Sequence, residues 1–256
     1  MTVTTTPPTT MRTIPLESAR HDPVTMAVVG PGYLPESLVT LTGVSWGTYE
    51  SLLADLADAR SPRLTYDRGT LEIMSPSSPH ERANRALALV IEMVAMEWDI
   101  HLLDFGTTTF RRADLERGFE PDTCFYIANV ASVSGRRPID PAIDPPPDLL
   151  IEMEVTTSAI PKLPLFAALG IPEVWRTTPE GVTILTLRDG DCVPVLASPA
   201  FPPLTTAVLT RFLDDGYTME RSPWLRSIRS WAVDHPHPGG GGERDEGDTS
   251  SGSPAE

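Results

Sequence analysis

The stretch PPPDLLIEMEVTTSAIPK, residues 145–162, decides how this chain folds and what it could do. In an extended strand alternate residues face the same side. Leu149, Ile151, Met153 and Val155 then form an apolar face, and Asp148, Leu150, Glu152 and Glu154 form the other. Glu152 and Glu154 would stand about 6.5–7 Å apart along the strand. Carboxylates at that spacing repel each other unless a cation or a shared proton lies between them. The stretch ends on Lys162, the single lysine of a chain with nineteen arginines. A lysine is a compact point charge where an arginine is a planar fork. A stray lysine in an arginine-biased sequence is the plainer account, so the neighbours have to decide between the two.

The chain of 256 residues is long enough for one domain with a sizeable core, or for two small ones. No run approaches the ~18 apolar residues of a membrane-spanning helix. The opening MTVTTTPPTTMRTIP has no apolar segment of signal-peptide length, so a cytoplasmic protein is expected. Cys124 and Cys192 lack the paired spacing of a zinc site and read as reduced, packed residues. The net charge of −15 argues against a general nucleic-acid binder, because acidic surfaces repel phosphate at long range. The tail GGGGERDEGDTSSGSPAE carries five carboxylates against one arginine, and the remainder is still acidic. Clustered carboxylates are also what divalent cations answer.

Punctuation divides the chain into a Thr/Pro-rich disordered arm (1–30), one domain (31–234) and a Gly-rich acidic tail (235–256), which includes His235 and His237. SWGTYESLLADLADA reads as a helix capped by Ser45, with Tyr49, Leu52, Leu53 and Leu56 at helical spacing. RLTYDRGTLEIMS reads as a hairpin turning at Asp67-Arg68-Gly69. SPHERANRALALVIEMVAMEWD predicts a helix capped by Ser78, with Glu81 three residues on and a buried stripe of Leu87, Val90, Ile91 and Val94. IHLLDFGTTTFRR, FEPDTCFYI, DLLIEMEVT and EVWRTT each read as a strand, and KLPLFAALG as a short helix ending at Gly170. A hairpin at Asp189-Gly190 and two helices, LTTAVLTRFLDD and WLRSIRSWAVD, complete the domain. The fold class is α/β. Its core of α-β-β-β-α-β order forms a mixed sheet with helices packed on it, preceded by an extra helix and hairpin and followed by another hairpin and helices. A ligand site is expected where strand ends splay.

Read as a strand, EPDTCFYI brings Glu120 and Asp122 to one face. If it neighbours DLLIEMEV, Asp122 and Glu152 converge on one point, where oxygen ligands suit Mg²⁺ or Mn²⁺. Such an ion polarises a phosphodiester and activates water. Lys162 would then reach back across the short loop to stabilise negative charge on phosphorus. The plainer alternative is a set of solvated strand-edge carboxylates, with Lys162 balancing one of them.

Several separate motifs, in order, carry a resemblance. YDRGTLEIMSPSSPHE, GFEPDTCFYI, DPPPDLLIEMEVT and then a lysine with LFAALGIPEVWR resemble the Uma-two family of restriction-endonuclease-like proteins, within the PD-(D/E)XK nuclease superfamily. The resemblance spans roughly residues 33 to 205 and implies the same α-β-β-β-α-β core. It makes Pro121-Asp122 the PD element, with Asp122 a metal ligand, and Glu152 the acidic residue of (D/E)XK. It matches His80 to a histidine at the start of the first core helix and places Glu72 in a further family motif. A standard E-X-K would have lysine where this chain has Glu154. Two readings follow: Lys162 does that work from the next helix, or the site has lost its lysine function.

The first reading is a metal-dependent DNA endonuclease. Asp122 and Glu152 hold Mg²⁺ or Mn²⁺, Lys162 stabilises the transition state and His80 assists. Glu154 or Glu120 takes a second ion or orients water. Folds of this type often act as homodimers. The second reading is a catalytically inactive nuclease-fold module that binds protein or nucleic acid, which the acidic surface and the residue at 154 favour. A two-carboxylate glycosidase leaves Lys162 unexplained. Arg82, Arg85, Arg111-Arg112 and Arg136-Arg137 are candidate phosphate contacts, though each taken singly reads as an ordinary solvated arginine.

Overall fold

The computed structural model describes residues 25–26 (backbone only), 37–56, 62–135, 139–140, 143–154 and 158–238. The chain begins with β1 (Thr25–Met26), β2 (Ser37–Leu41), α1 (Trp46–Asp55), β3 (Arg63–Asp67), β4 (Thr70–Ser75) and α2 (Ser78–Glu97). It continues with β5 (Leu103–Gly106), β6 (Phe110–Arg112), β7 (Arg117–Phe119), β8 (Thr123–Tyr126), α3 (Val130–Val133) and β9 (Leu149–Met153). Last come α4 (Lys162–Ala168), β10 (Glu173–Thr178), β11 (Gly181–Arg188), β12 (Asp191–Val195), α5 (Thr206–Thr218) and α6 (Arg221–Asp234). The Thr/Pro arm apart from residues 25–26, the acidic tail beyond 238, and Val155, Arg136 and Arg137 lie outside the described residues.

Among the described residues the strands make two six-stranded sheets rather than one. The first has the order β1-β2-β4-β3-β7-β6 and is antiparallel throughout. The second has the order β12-β11-β10-β9-β8-β5 and is mixed, with β9 and β10 its parallel pair. A parallel pair needs a crossover, and α4 lies on the stretch that supplies it. From α2 to β10 the chain runs α2-β5-β6-β7-β8-α3-β9-α4-β10, with β6 and β7 leaving for the first sheet on the way.

That departure corrects the reading of IHLLDFGTTTFRR as one strand. Gly106 adopts φ 54° and its N–H is taken by Asp104 Oδ1 at 2.7 Å, which ends β5 at that point. The cap of α2 is also corrected from Ser78 to Ser77, whose Oγ accepts the His80 N–H at 3.3 Å. Pro79 then falls in the first turn, where its missing N–H costs nothing, and Glu81 pairs with Arg63 instead of capping the helix. Both hairpin turns use paired left-handed residues, Arg68 and Gly69 (φ 45° and 93°) and Asp189 and Gly190 (φ 51° and 87°), as two-residue hairpins favour.

Burial on both faces sets the second sheet. Leu149, Ile151 and Met153 pack with Trp175 and Ile184 under the Leu87, Val90, Ile91 and Val94 stripe of α2, joined by residues of α5 and α6. Leu150, Val174 and Leu185 pack on the opposite face against Leu165 and Phe166 of α4 and Phe110 and Phe119 of the first sheet. All five residues of β9 are buried, so the face carrying Leu150 and Glu152 is as dry as the other. Asp148, expected on that face, instead accepts from the Ile127 and Asn129 backbone N–H groups at 2.7 and 2.9 Å, closing the turn after β8. His235 and His237, read as linker, pack against Trp231 and Trp98.

A tight contact joins α1 to the first sheet. The Tyr49 ring stacks on Tyr66 at 4.9 Å and abuts Gly118, where a Cβ would overlap the Tyr49 ring and its hydroxyl oxygen. The Tyr49 hydroxyl is buried and has no hydrogen-bond partner among the described residues. Gly118→Ala is expected to destabilise the protein by about 1–3 kcal/mol through overpacking. Tyr49→Phe, which removes an unsatisfied hydroxyl, should be neutral or stabilising by about 1 kcal/mol. Urea melts of the two variants check both signs.

Candidate active site

Asp122 stands just before β8, because Pro121 has no N–H to offer a sheet ladder. Thr123 pairs with Ile151, so Asp122 is level with Glu152 at one end of the β8–β9 pair. Its side chain is buried and fully engaged. Oδ2 accepts the Met153 N–H at 2.6 Å, and Oδ1 meets His80 Nε2 at 2.7 Å and ion-pairs with the Arg63 guanidinium. Asn84 on α2 donates to the Asp122 carbonyl at 3.0 Å and accepts from Thr123 Oγ1 at 3.0 Å. Arg63 also donates to Glu81 Oε1 at 2.5 Å and lies 3.1 Å from His80 Nε2.

Glu152 ion-pairs with Lys162, the first residue of α4. Burial draws the Lys162 ammonium down, but the charge and hydrogen bond of Glu152, then the charges of Glu72 and Glu154, outweigh it and hold the group above the usual lysine range. Glu72 on β4 fixes where that lysine starts. Its carboxylate accepts from Ser158 Oγ at 2.6 Å and from the Ala159 and Ile160 N–H groups at 2.5 and 3.2 Å, clamping the segment that leads into α4.

Glu120 and Asp122 do not share a strand face. Glu120 turns to the first sheet, accepting from the Leu64 N–H at 2.7 Å and Thr109 Oγ1 at 2.8 Å. Burial raises its pKa, partly offset by those two hydrogen bonds and by Arg63. Glu154 pairs with Arg176 at 3.3 Å on the neighbouring strand. Arg63, Glu72, Glu120, Glu154 and Lys162 line one small cleft, whereas Asp122 opens on a second with Glu81, Asn84 and Arg85. Arg63 belongs to both. His80 borders a third groove with Thr177 and Tyr217. Of the other arginines, Arg82 stacks on Tyr217, Arg111 faces Glu50 at 3.8 Å and Arg112 is doubly bonded to Asp114.

Among the described residues no three His, Cys, Asp or Glu side chains are gathered so as to hold a metal ion. The donor chemistry of Asp122 and Glu152 nevertheless fits Mg²⁺, which is commonly held by one or two carboxylates with water and substrate phosphate completing its shell. In the arrangement described, both carboxylates are answered by protein cations, Arg63 and Lys162. Sequence reasoning passed over Arg63, Arg176 and Asn84. For Arg63 the available signal was a charged residue opening a strand, in RLTYD, that carries the apolar Leu64 and Tyr66.

These features describe a mixed-sheet α/β protein with a buried acid–lysine pair joining β9 to the start of α4. Residues 46–219, more than half of the chain, match the model of the Uma2 (Uma-two) family, described as "Putative restriction endonuclease". The chain belongs to that family. It is also similar to the crystal structure of a "putative nuclease" from Anabaena variabilis, with a TM-score of 0.46 and 14% identity over 66% of this chain and 99% of that one. No curated protein sequence matches it. Among the described residues no helix is long and apolar enough to cross a membrane.

Breaking a buried ion pair from one side leaves an uncompensated charge and costs about 3–5 kcal/mol. Lys162→Met should lose stability on that scale, and the Glu152→Gln/Lys162→Met double variant should recover most of it. Because the folded lysine binds its proton more tightly than the unfolded one, this stabilisation is fully present below about pH 10.4 and is lost as pH rises through the higher folded value. A double-mutant cycle by urea melts, repeated from pH 7 to 11, measures both effects.

Proposed function

We propose that this protein hydrolyses phosphodiester bonds in DNA, with a divalent cation held by Asp122 and Glu152. The observation that carries the reading is Lys162 paired to Glu152 at a strand end level with Asp122, in a chain of a restriction-endonuclease family. A bound Mg²⁺ or Mn²⁺ supplies charge neutralisation and a water of lowered pKa.

The chain supplies the rest. Asp122 is held by the Met153 N–H and by His80, so its carboxylate cannot rotate away from the strand end. Lys162 offers its ammonium to the negative charge that develops on the phosphate oxygens. Glu154, tied by Arg176 and about one-third exposed, orients the attacking water. That water's oxygen bonds to phosphorus in line with the 3′ oxygen, whose bond breaks. The 3′ oxygen takes up a proton, leaving a 5′-phosphate and a 3′-hydroxyl.

Glu152→Gln and Asp122→Asn are expected to reduce Mg²⁺- or Mn²⁺-dependent cleavage of supercoiled plasmid by at least ~100-fold, with circular dichroism unchanged. Full cleavage in both variants would overturn the assignment. The interaction-module reading draws on a specific observation, the protein cations already seated on both carboxylates. It would be favoured if the wild type neither cuts DNA nor gains thermal stability with millimolar Mn²⁺.

A further inference from the structure

Arg63 carries a permanent charge and is only 7% exposed. An arginine does not shed its proton in a protein, so burial has to be answered by partners. Here they are Asp122 and the half-exposed Glu81, with His80 Nε2 beside them. The solution is incomplete, because the Arg63 Nε–H is buried without a hydrogen-bond partner among the described residues. Its guanidinium takes the same Asp122 oxygen, Oδ1, that meets His80. It is also the residue common to the Asp122 cleft and the Lys162 cleft.

We propose that Arg63 is a positioning residue that serves as the resident counter-ion of Asp122, so that a divalent cation enters the site by exchange against its guanidinium. This rests on the reading of Asp122 and Glu152 as metal ligands. Two positive charges compete for one carboxylate, and at contact distance their repulsion is strong even in a moderately polar site. Arg63 thereby lowers metal affinity while keeping the metal-free protein folded. Lys162 stands in the same relation to Glu152, but it sits on the first residue of a short helix and is 20% exposed. Arg63 is anchored in a strand and braced by Glu81.

The test is calorimetric titration of Mn²⁺ into wild type, Arg63→Gln, Arg63→Lys and Glu152→Gln. Arg63→Gln should melt lower without metal yet bind Mn²⁺ about tenfold or more tightly, whereas Arg63→Lys, which keeps the charge, should bind as wild type does. A merely structural arginine predicts weaker binding in both. If wild type binds Mn²⁺, Glu152→Gln does not, and Arg63→Gln binds no more tightly than wild type, the exchange is overturned while the metal site stands. If neither wild type nor Arg63→Gln binds Mn²⁺, the metal reading falls and the exchange with it. Should Arg63→Gln fail to fold, arginine side-chain ¹⁵N spectra of wild type with and without Mg²⁺ decide. A shift of the Arg63 Nε–H signal on metal addition supports exchange, and an unmoved signal overturns it.

Discussion

A strand buried on both faces that still carries a carboxylate is the constraint on which this structure turns. β9 is the strand about which the second sheet is organised, with α2 on one side and α4 on the other. Placing Glu152 in it is unfavourable unless a counter-charge comes too. The parallel link from β9 to β10 requires a crossover, and that crossover brings the only lysine to the carboxylate. Topology and electrostatics are thus satisfied by one segment of chain.

The first sheet holds that segment in place. Glu72, from a hairpin belonging to the other sheet, accepts two backbone N–H groups and a hydroxyl just before α4. Glu120 does the corresponding work at Leu64 and Thr109. Arg63 closes the circuit by joining the start of β3 to Asp122 and to the first turn of α2. Each sheet therefore supplies charges that the other needs, and the clefts lie where the two meet. Buried charges arranged this way gain little net stability over apolar packing, but losing any one partner is costly. Such an arrangement fixes geometry more than it adds to stability.

What was legible in the sequence follows from this division. Elements whose pattern is local could be read: the α2 stripe, the two hairpin turns, and Lys162 reaching back over a short loop. The cap at Ser77 was missed because two adjacent serines are equivalent in sequence, and only the position of Pro79 within the turn separates them. Glu120 was misplaced because alternation was extended across Pro121, which cannot join the ladder. The two-sheet architecture and Arg63 were missed for a common reason. Both depend on which strands from distant parts of the chain lie side by side, and nothing within either segment encodes the partner. Residues 63 and 122 come together only through the fold.

The lysine itself can now be explained by its neighbours. The buried arginine of the site bridges two carboxylates, Asp122 and Glu81, which suits a planar fork with several donors. Lys162 meets one carboxylate oxygen from the first turn of a helix, across a segment fixed by Glu72. That task calls for a long flexible stem ending in a point charge. Position 154, where an E-X-K pattern would put the lysine, is instead held by a glutamate paired to Arg176 on the next strand. With the cation supplied from the helix, the strand residue is free to take the opposite sign, and Glu154 in turn helps hold the Lys162 charge above its ordinary range. Glu154 and the single lysine at 162 are therefore two parts of one electrostatic arrangement.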